Sequence, residues 1–413
     1  MAIIRPFRAY RPRPELVAKV AALPYDVMNS QEARQMAEGN PYSFLHVDKA
    51  EIDLPLGTGL YDEIVYQTAA ANLRRMIADG VYLQEDKPCL YVYRQIMDGR
   101  AQTGIVACSS VDDYLNNVVK KHELTRADKE EDRCRHVDTC DAQTGPIFLT
   151  YRRRTAIDAV VDKTVAAPPL YDFDADGVRQ TVWIIRDEDD IKLLQDEFAA
   201  AGSTYIADGH HRTASAVRVG LKRRELHPDF SGDEEFNYFL SVLFPDEQLY
   251  IMDYNRVVKD LNGLSVAAFM GQVNEKFVIT AWNGEGPCRP PQKHSFGMYL
   301  GGKWYLLAAK DGTYGGDPVS RLDVSILQTN LLSPVLGIGD PRTDKRIDFI
   351  GGIRGLEELE RRVQAEGGGV AFAMYPTTID DLMAIADAGL IMPPKSTWFE
   401  PKLLSGIFIH ELS

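Results

Sequence analysis

The chain lacks a long apolar run, has few cysteines, and carries no extended stretch of basic charge. Nowhere do apolar residues approach the roughly 18 in a row that a membrane-crossing helix needs, so no membrane span is expected. The first residues, Met1-Ala2-Ile3-Ile4-Arg5-Pro6-Phe7-Arg8, lack an apolar segment followed by a small-residue cleavage site. A secretory signal is therefore not expected, and the chain reads as cytoplasmic. Its five cysteines (Cys89, Cys108, Cys134, Cys140 and Cys288) are odd in number and scattered, which suits free thiols in a reducing compartment. Cys134, His136 and Cys140 lack a fourth ligand and the C-x2-C spacing, so structural zinc is not expected. The chain also has no Walker A loop, no G-x-G-x-x-G turn, no G-x-S-x-G elbow and no H-E-x-x-H helix.

Charge excludes a further class. Lys and Arg total 46 against 60 Asp and Glu, a net charge of −14. Such a protein repels a phosphate backbone unless it carries a local basic patch. The longest basic clusters, Arg152-Arg153-Arg154 and Lys222-Arg223-Arg224, are short and read as solvated faces. A nucleic-acid partner is not expected.

What is present is an ordinary globular composition, 45% hydrophobic and 26% charged. Short strand-like runs alternate with helical ones, which predicts an α+β, mixed α/β fold. Helices are expected at Ser30–Glu38 (capped by Ser30, stopped by Gly39), Tyr61–Asp79, Arg126–Arg135, Asp187–Ala201 (capped by Asp187), Leu264–Phe277 and Asp323–Leu332. In the second of these, Ile64, Ala71, Leu73 and Ile77 mark the apolar face. Strands are expected at Val20–Leu23, Cys89–Tyr93 and Gly104–Val111 around an Asp98-Gly99 turn, Ile147–Tyr151, Val182–Arg186, Phe236–Phe244 and Leu249–Val258, with two more between Ser295 and Ala309. A β-α-β-α-β run closes the chain: 346–350, 356–365, 370–374, 379–388 and 406–410. A boundary near residue 315 divides a mixed α/β domain, 1–315, from a C-terminal α/β domain, 316–413.

The densest chemistry lies at Asp208-Gly209-His210-His211-Arg212-Thr213. The apolar run Thr204–Ala207 precedes it and a helical pattern, Thr213–Leu221, follows. A strand thus feeds a tight turn and a helix start. Unpaired backbone N–H groups and the helix dipole favour an anion there. Arg212 can fork onto phosphate oxygens, and Gly209 lets the backbone approach a ligand closely.

Asp208 to Arg212 resembles the phosphate-binding motif of the ParB/sulfiredoxin superfamily, which includes the ParB-like free-serine kinases. The whole chain resembles the bacterial domain-of-unknown-function family 1015, whose members are often labelled SpoOJ/ParB/RepB-like. The segments that carry this resemblance are Pro24–Val27, Asn40–Val47, His122–Thr125 with Lys129–Arg133, and Met392–Phe399. The resemblance implies a ParB/sulfiredoxin-like core.

The remaining candidates are weighed against this background. His122, Glu123, Lys129 and Arg133 read equally well as a surface helix laced with ion pairs or as part of a site; the resemblance, which carries the segment as a block, favours the site. Lys129 and Arg133 are four apart and share a helix face. Asp26 follows a strand-like stretch and reads either as a metal or base position or as a turn cap. His46 reads as a structural histidine on a strand. Lys395, Ser396 and Thr397 follow two prolines and offer a cation and hydroxyls to phosphate.

The leading expectation is a nucleotide-dependent phosphotransferase acting on a small hydroxyl compound, a free amino acid such as serine among the candidates. His210, His211, Arg212 and Thr213 would hold the nucleotide, which is ATP, ADP or CTP with Mg2+. Glu123, Asp208 or His210 would move the proton, with Asp208 or Glu123 also facing Mg2+, and Lys395 would neutralise charge. Against this stand a non-catalytic nucleotide switch and a DNA-partitioning protein, the latter disfavoured by the acidic charge and the missing reader helix. The oligomeric state is open, a homo-oligomer included.

Overall fold

A computed structural model describes residues 1–413. The chain forms two compact units. The first comprises Met1–Lys121, Thr125–Leu249 and Pro401–Ser413; the second comprises His122–Leu124 and Tyr250–Glu400. The division after Leu249 moves the boundary expected near 315, which falls inside the second unit. A boundary read from composition misses this, because the chain leaves the first unit after Leu249 and returns to it at Pro401. Both units mix helix and strand, and no helix is long and apolar enough to cross a membrane.

The first unit is built on a nine-stranded mixed sheet. Its strands run in the order Val119–Lys120, Thr204–Asp208, Ile147–Tyr151, Tyr238–Pro245, Arg100–Ser110, Leu90–Met97, Val178–Ile185 and Tyr171–Ala175, with Ile4–Arg5 also pairing to Arg100–Ser110. The hairpin at its centre turns at Asp98 and Gly99, with φ of 50° and 77°. Two consecutive positive φ values match the twist of the flanking strands, which is why an Asp-Gly pair occupies the turn. Leu90, Val92, Ile105, Ala107, Leu149, Ile206, Phe239 and Leu243 form the core on one face. Aromatics pack on the other, where Tyr91 lies 4.9 Å from Phe408 and 6.0 Å from Phe7.

One strand aims the chemistry. Thr204–Asp208 pairs parallel to Val119–Lys120 and antiparallel to Ile147–Tyr151, and its register slips between Ile206 and Asp208. Such an irregularity re-aims a strand's last side chain. The chain then turns at Gly209 into the His210–Leu226 helix, which lies along the Ala127–Cys140 helix. Ion pairs lace the two helices together: Arg218 to Glu130 and Glu131, and Lys222 and Arg223 to Asp138.

The second unit has a six-stranded antiparallel sheet in the order Phe277–Ala281, Lys303–Ala309, Ser295–Leu300, Val370–Met374, Tyr254–Val258 and Ile347–Gly351. Val257, Tyr299, Trp304, Ile350, Leu359 and Ala373 pack under the Glu357–Ala365 helix.

Several expectations are corrected. Asn29 rather than Ser30 caps the Ser30–Ala37 helix, accepting from the Gln31 and Glu32 amides while Glu32 reaches back to the Asn29 amide. The Glu63–Ala78 helix buries Val65, Tyr66, Ala69, Leu73 and Met76, whereas Ile64 is exposed. Val20 ends a helix (Val17–Val20) rather than starting a strand. His46 sits on the Leu45–Asp48 helix, paired with Asp53 at 2.8 Å. The expected helix at Asp323–Leu332 is an α-helix to Leu327 followed by a π turn. Residues 406–410 do not close a C-terminal sheet; His410–Glu411 pairs with Ala142–Gln143 in the first unit.

Candidate functional site

Gly209 caps the His210–Leu226 helix at φ 94°, a left-handed conformation that side chains disfavour. A Cβ there would also stand 3.1 to 3.2 Å from the Arg212 guanidinium. Glycine is needed for both reasons. No side chain caps this helix and no acid lies in its first turn. The other long helices carry a cap or a first-turn acid: Asp187 caps Glu188–Ala201, Ser265 caps Val266–Lys276, and the uncapped Glu63–Ala78, Ala127–Cys140 and Thr155–Val165 helices have acids in their first turns. A helix start with neither a capping side chain nor a first-turn acid is the arrangement that favours an anion.

Arg212 turns back beneath this helix start. Its Nη1 donates to the Pro146 carbonyl at 2.6 Å, its Nη2 lies 3.5 Å from Asp208, and its buried Nε has no partner. Burial opposes its charge, but Asp26, Asp208, Tyr25 and Asp48 outweigh that and hold it firmly protonated. Asp208 in turn lies 3.6 Å from Lys402. Burial pushes the Asp208 carboxyl up, yet Lys402, Arg212, His210 and the Gly209 amide together hold it at about 2. A carboxylate so stabilised is a weak base at neutral pH. At neutral pH Asp208 therefore stands as a carboxylate between Arg212 and Lys402.

Beside Arg212 a second set of charges lies deeper. Arg133 donates to Asp132 at 3.0 Å and stacks its guanidinium 4.1 Å over the Tyr25 ring. Asp132 also accepts from Tyr66 at 2.9 Å, and Asp48 accepts from Thr144 at 2.8 Å. His136 Nε2 lies 3.1 Å from the Val47 carbonyl; burial and Arg133 push its imidazole below the ordinary range, so it is neutral. Tyr25, Asp48, Arg133, His136, Thr144 and Arg212 help line a cavity of about 30 Å³. That is room for a water or one terminal group of a ligand, not for a nucleotide.

The sequence-predicted residues divide accordingly. Asp26, Arg133, Asp208, Gly209, His210 and Arg212 are brought together. Thr213 is turned inward, its hydroxyl donating to the Gly209 carbonyl at 3.0 Å. His211 Nε2 accepts from the Arg126 amide at 3.0 Å, ordering the loop before the Ala127–Cys140 helix. Lys129 and Arg133 share a helix but not a role, since Lys129 Nζ meets the Tyr61 hydroxyl at 3.0 Å. Cys134 donates to the Ser215 carbonyl, a packing contact between helices.

His122, Glu123, Lys395, Ser396 and Thr397 belong to the second unit. There the Met392 amide donates to the His122 carbonyl at 2.8 Å. Lys395 has φ 61°, with its Nζ 5.6 Å from the Tyr254 ring centre. Ser396 donates its hydroxyl to the Pro393 carbonyl at 2.6 Å.

Sequence reasoning missed Tyr25, Asp48, Asp132 and Lys402. The first three lie inside or beside the Pro24–Val27, Asn40–Val47 and Lys129–Arg133 segments already singled out, so their placement was the available signal. Lys402 had none, since nothing local links it to Asp208.

The family model described as protein of unknown function (DUF1015) matches residues 4–325. No curated protein matches the chain. Among solved structures it is similar to a free serine kinase in complex with AMP, at 14% identity and TM-score 0.35, covering 72% of this chain and 86% of that one. It is similar to a conserved hypothetical protein from Pyrococcus furiosus at 14% identity and TM-score 0.35, covering 74% and 94%. It is also similar to SbnI with a C-terminal truncation from Staphylococcus aureus at 13% identity and TM-score 0.38, covering 72% and 85%. Likenesses this distant carry no activity across.

Proposed function

The chain belongs to the family described as protein of unknown function (DUF1015), whose description assigns no activity, and from the site itself we propose a nucleotide-dependent phosphotransferase acting on a small hydroxyl-bearing metabolite, free serine being one candidate. One observation carries the reading: the His210–Leu226 helix starts at a glycine, with no capping side chain, no acid in its first turn and a buried arginine folded against it whose Nε lacks a partner. An anionic oxygen at the first-turn amides takes the place of the missing cap. Phosphoryl transfer asks mainly for charge neutralisation and positioning, which Arg212, the helix start and Lys402 supply. The 30 Å³ gap beside Arg212 takes one end of such a ligand, with the remainder lying outside it.

The proton acceptor in this reading is His210, since Asp208 is held too acidic. Asp208 does not fit Mg2+ either: two cations already flank its carboxylate, and a hard cation would have to displace one.

Titration with ATP, ADP and CTP tests the site. Arg212→Ala is expected to weaken nucleotide binding at least about tenfold, the value of one charge-assisted contact. Unchanged affinity in that variant ends the proposal. His210→Gln is expected to keep binding and lose turnover. The second reading, a nucleotide switch without chemistry, is favoured by the Asp208 ion pair, which provides charge but no base. Nucleotide binding with no phosphorylated product across a panel of hydroxyl compounds would select it.

A further inference from the structure

The second unit contains a cavity of about 290 Å³ lined by Lys293, Arg321, Asp323, Tyr375, Thr377 and Asp381, among others. Its charged groups are unequally committed. Asp381 is fully employed. It completes the capping box of the Ile379–Asp387 helix with Thr378, accepts from Lys293 at 2.6 Å and lies 3.9 Å from Arg321. Two cations thus share one carboxylate. Their side chains remain 43% and 50% exposed, with donors to spare for a second anion.

Asp323 is the opposite case. It is only 9% exposed. One of its oxygens, Oδ1, accepts from the His294 amide at 2.9 Å, while Oδ2 is buried with no partner. The His294 backbone has φ 65°, an uncommon conformation for a residue other than glycine. A buried carboxylate oxygen without a donor is costly. Burial accordingly pushes the Asp323 carboxyl up to about 7, against the pull of the His294 amide and Lys293, with Asp381 adding to the rise. Nothing within the unit answers this oxygen, and Asp323 lines a cavity large enough for a small molecule.

We propose that this cavity binds a small carboxylate bearing an amino or hydroxyl donor next to the acid group, the carboxylate meeting Lys293 and Arg321 and the donor meeting Asp323 Oδ2. The volume lies at the lower edge of small-molecule sites and suits a ligand of amino-acid size rather than a nucleotide. Both requirements come from separate residues, so the site selects for two groups on one compact molecule. It lies wholly within the second unit and does not rest on the phosphotransferase reading.

Calorimetric titration of the full chain with four compounds tests this. Alanine carries both groups as a zwitterion, lactate both as a hydroxy acid, propionate the carboxylate alone, and ethanolamine the donors alone. Alanine or lactate is expected to bind, and which of them does identifies the donor. Propionate and ethanolamine are expected to bind at least about tenfold more weakly, because each leaves one buried group unanswered. Asp323→Asn, and independently Arg321→Ala at a half-exposed position, are each expected to weaken binding at least about tenfold, while Arg212→Ala leaves it unchanged. Propionate binding as tightly as lactate and alanine, full affinity in Asp323→Asn, or no saturable binding of any compound up to about 10 mM would each overturn the proposal.

Discussion

Asp208 shows how one residue's environment decides what it can do. Its folded carboxyl sits at about 2, below the 3.8 it has when free. A depressed carboxyl contributes stability that is fully present above the free value and is lost as pH falls through the folded one. The window is therefore roughly pH 4 down to 2. The shift corresponds to about 2 kcal/mol; with the side chain 31% exposed, solvent screening trims this to about 1–2 kcal/mol. Lys402→Met removes the leading cation. Its urea midpoint at pH 5 is expected to fall by an amount equivalent to about 1–2 kcal/mol, and the variant and parent curves are expected to converge near pH 2. Parallel curves across that range would show that Lys402 does not hold Asp208 ionised.

At the scale of elements, two helical glycines give opposite expectations for the same substitution. Alanine is preferred over glycine inside a helix by about 1 kcal/mol. At Gly271, in the Val266–Lys276 helix, an added Cβ meets nothing within 4 Å, so Gly271→Ala is expected to stabilise by nearly that amount. At Gly220 the same Cβ stands 2.6 Å from the Phe236 carbonyl oxygen and 3.2 Å from Val111. Overpacking against a fixed backbone costs about 1–3 kcal/mol, which outweighs the propensity gain. Gly220→Ala is expected to lower the denaturation midpoint and Gly271→Ala to raise it. A gain at both positions would mean that the His210–Leu226 helix is not pressed against its neighbours.

These elements also show what local sequence can and cannot reveal. Strand Val370–Met374, the Asp187 cap and the Asp98-Gly99 turn were legible because each depends on residues that are adjacent or one turn apart. The buried face of Glu63–Ala78 was equally legible but was misread. Val65, Tyr66, Ala69, Leu73 and Met76 recur at helical spacing and make the covered side, whereas Ile64 and Ala71 fall off it; Tyr66 also donates its hydroxyl to Asp132. The candidate site divides by distance along the chain. Asp208, Gly209 and Arg212 lie together in the chain and were found together, whereas the Lys402 that fixes Asp208 comes from the far end.

On the scale of the whole molecule, the segment 401–413 does work that its position conceals. Lys402 faces Asp208, and its carbonyl accepts from Gln95 at 2.8 Å. Ser405 exchanges backbone hydrogen bonds with Ala22, and Ile409 does so with Tyr10. The Gly406 carbonyl accepts from the Tyr82 hydroxyl at 2.8 Å. Phe408 and Ile409, each 1% exposed, pack against Tyr91 and among the helices of the first unit. Removing these residues exposes apolar surface at several places at once and leaves buried carbonyls and amides without partners. Two large side chains alone are worth about 3–6 kcal/mol, comparable to the whole stability of many domains. A chain ending at Glu400 is therefore expected to lose the tertiary structure of the first unit, seen as collapse of the near-ultraviolet circular dichroism from Tyr91 and Tyr93. A synthetic peptide of residues 401–413 added in excess is expected to restore it, because the segment docks through its own side chains. A chain cut at 400 that keeps a native-like spectrum and an unchanged urea midpoint would show that the first unit closes without its last strand.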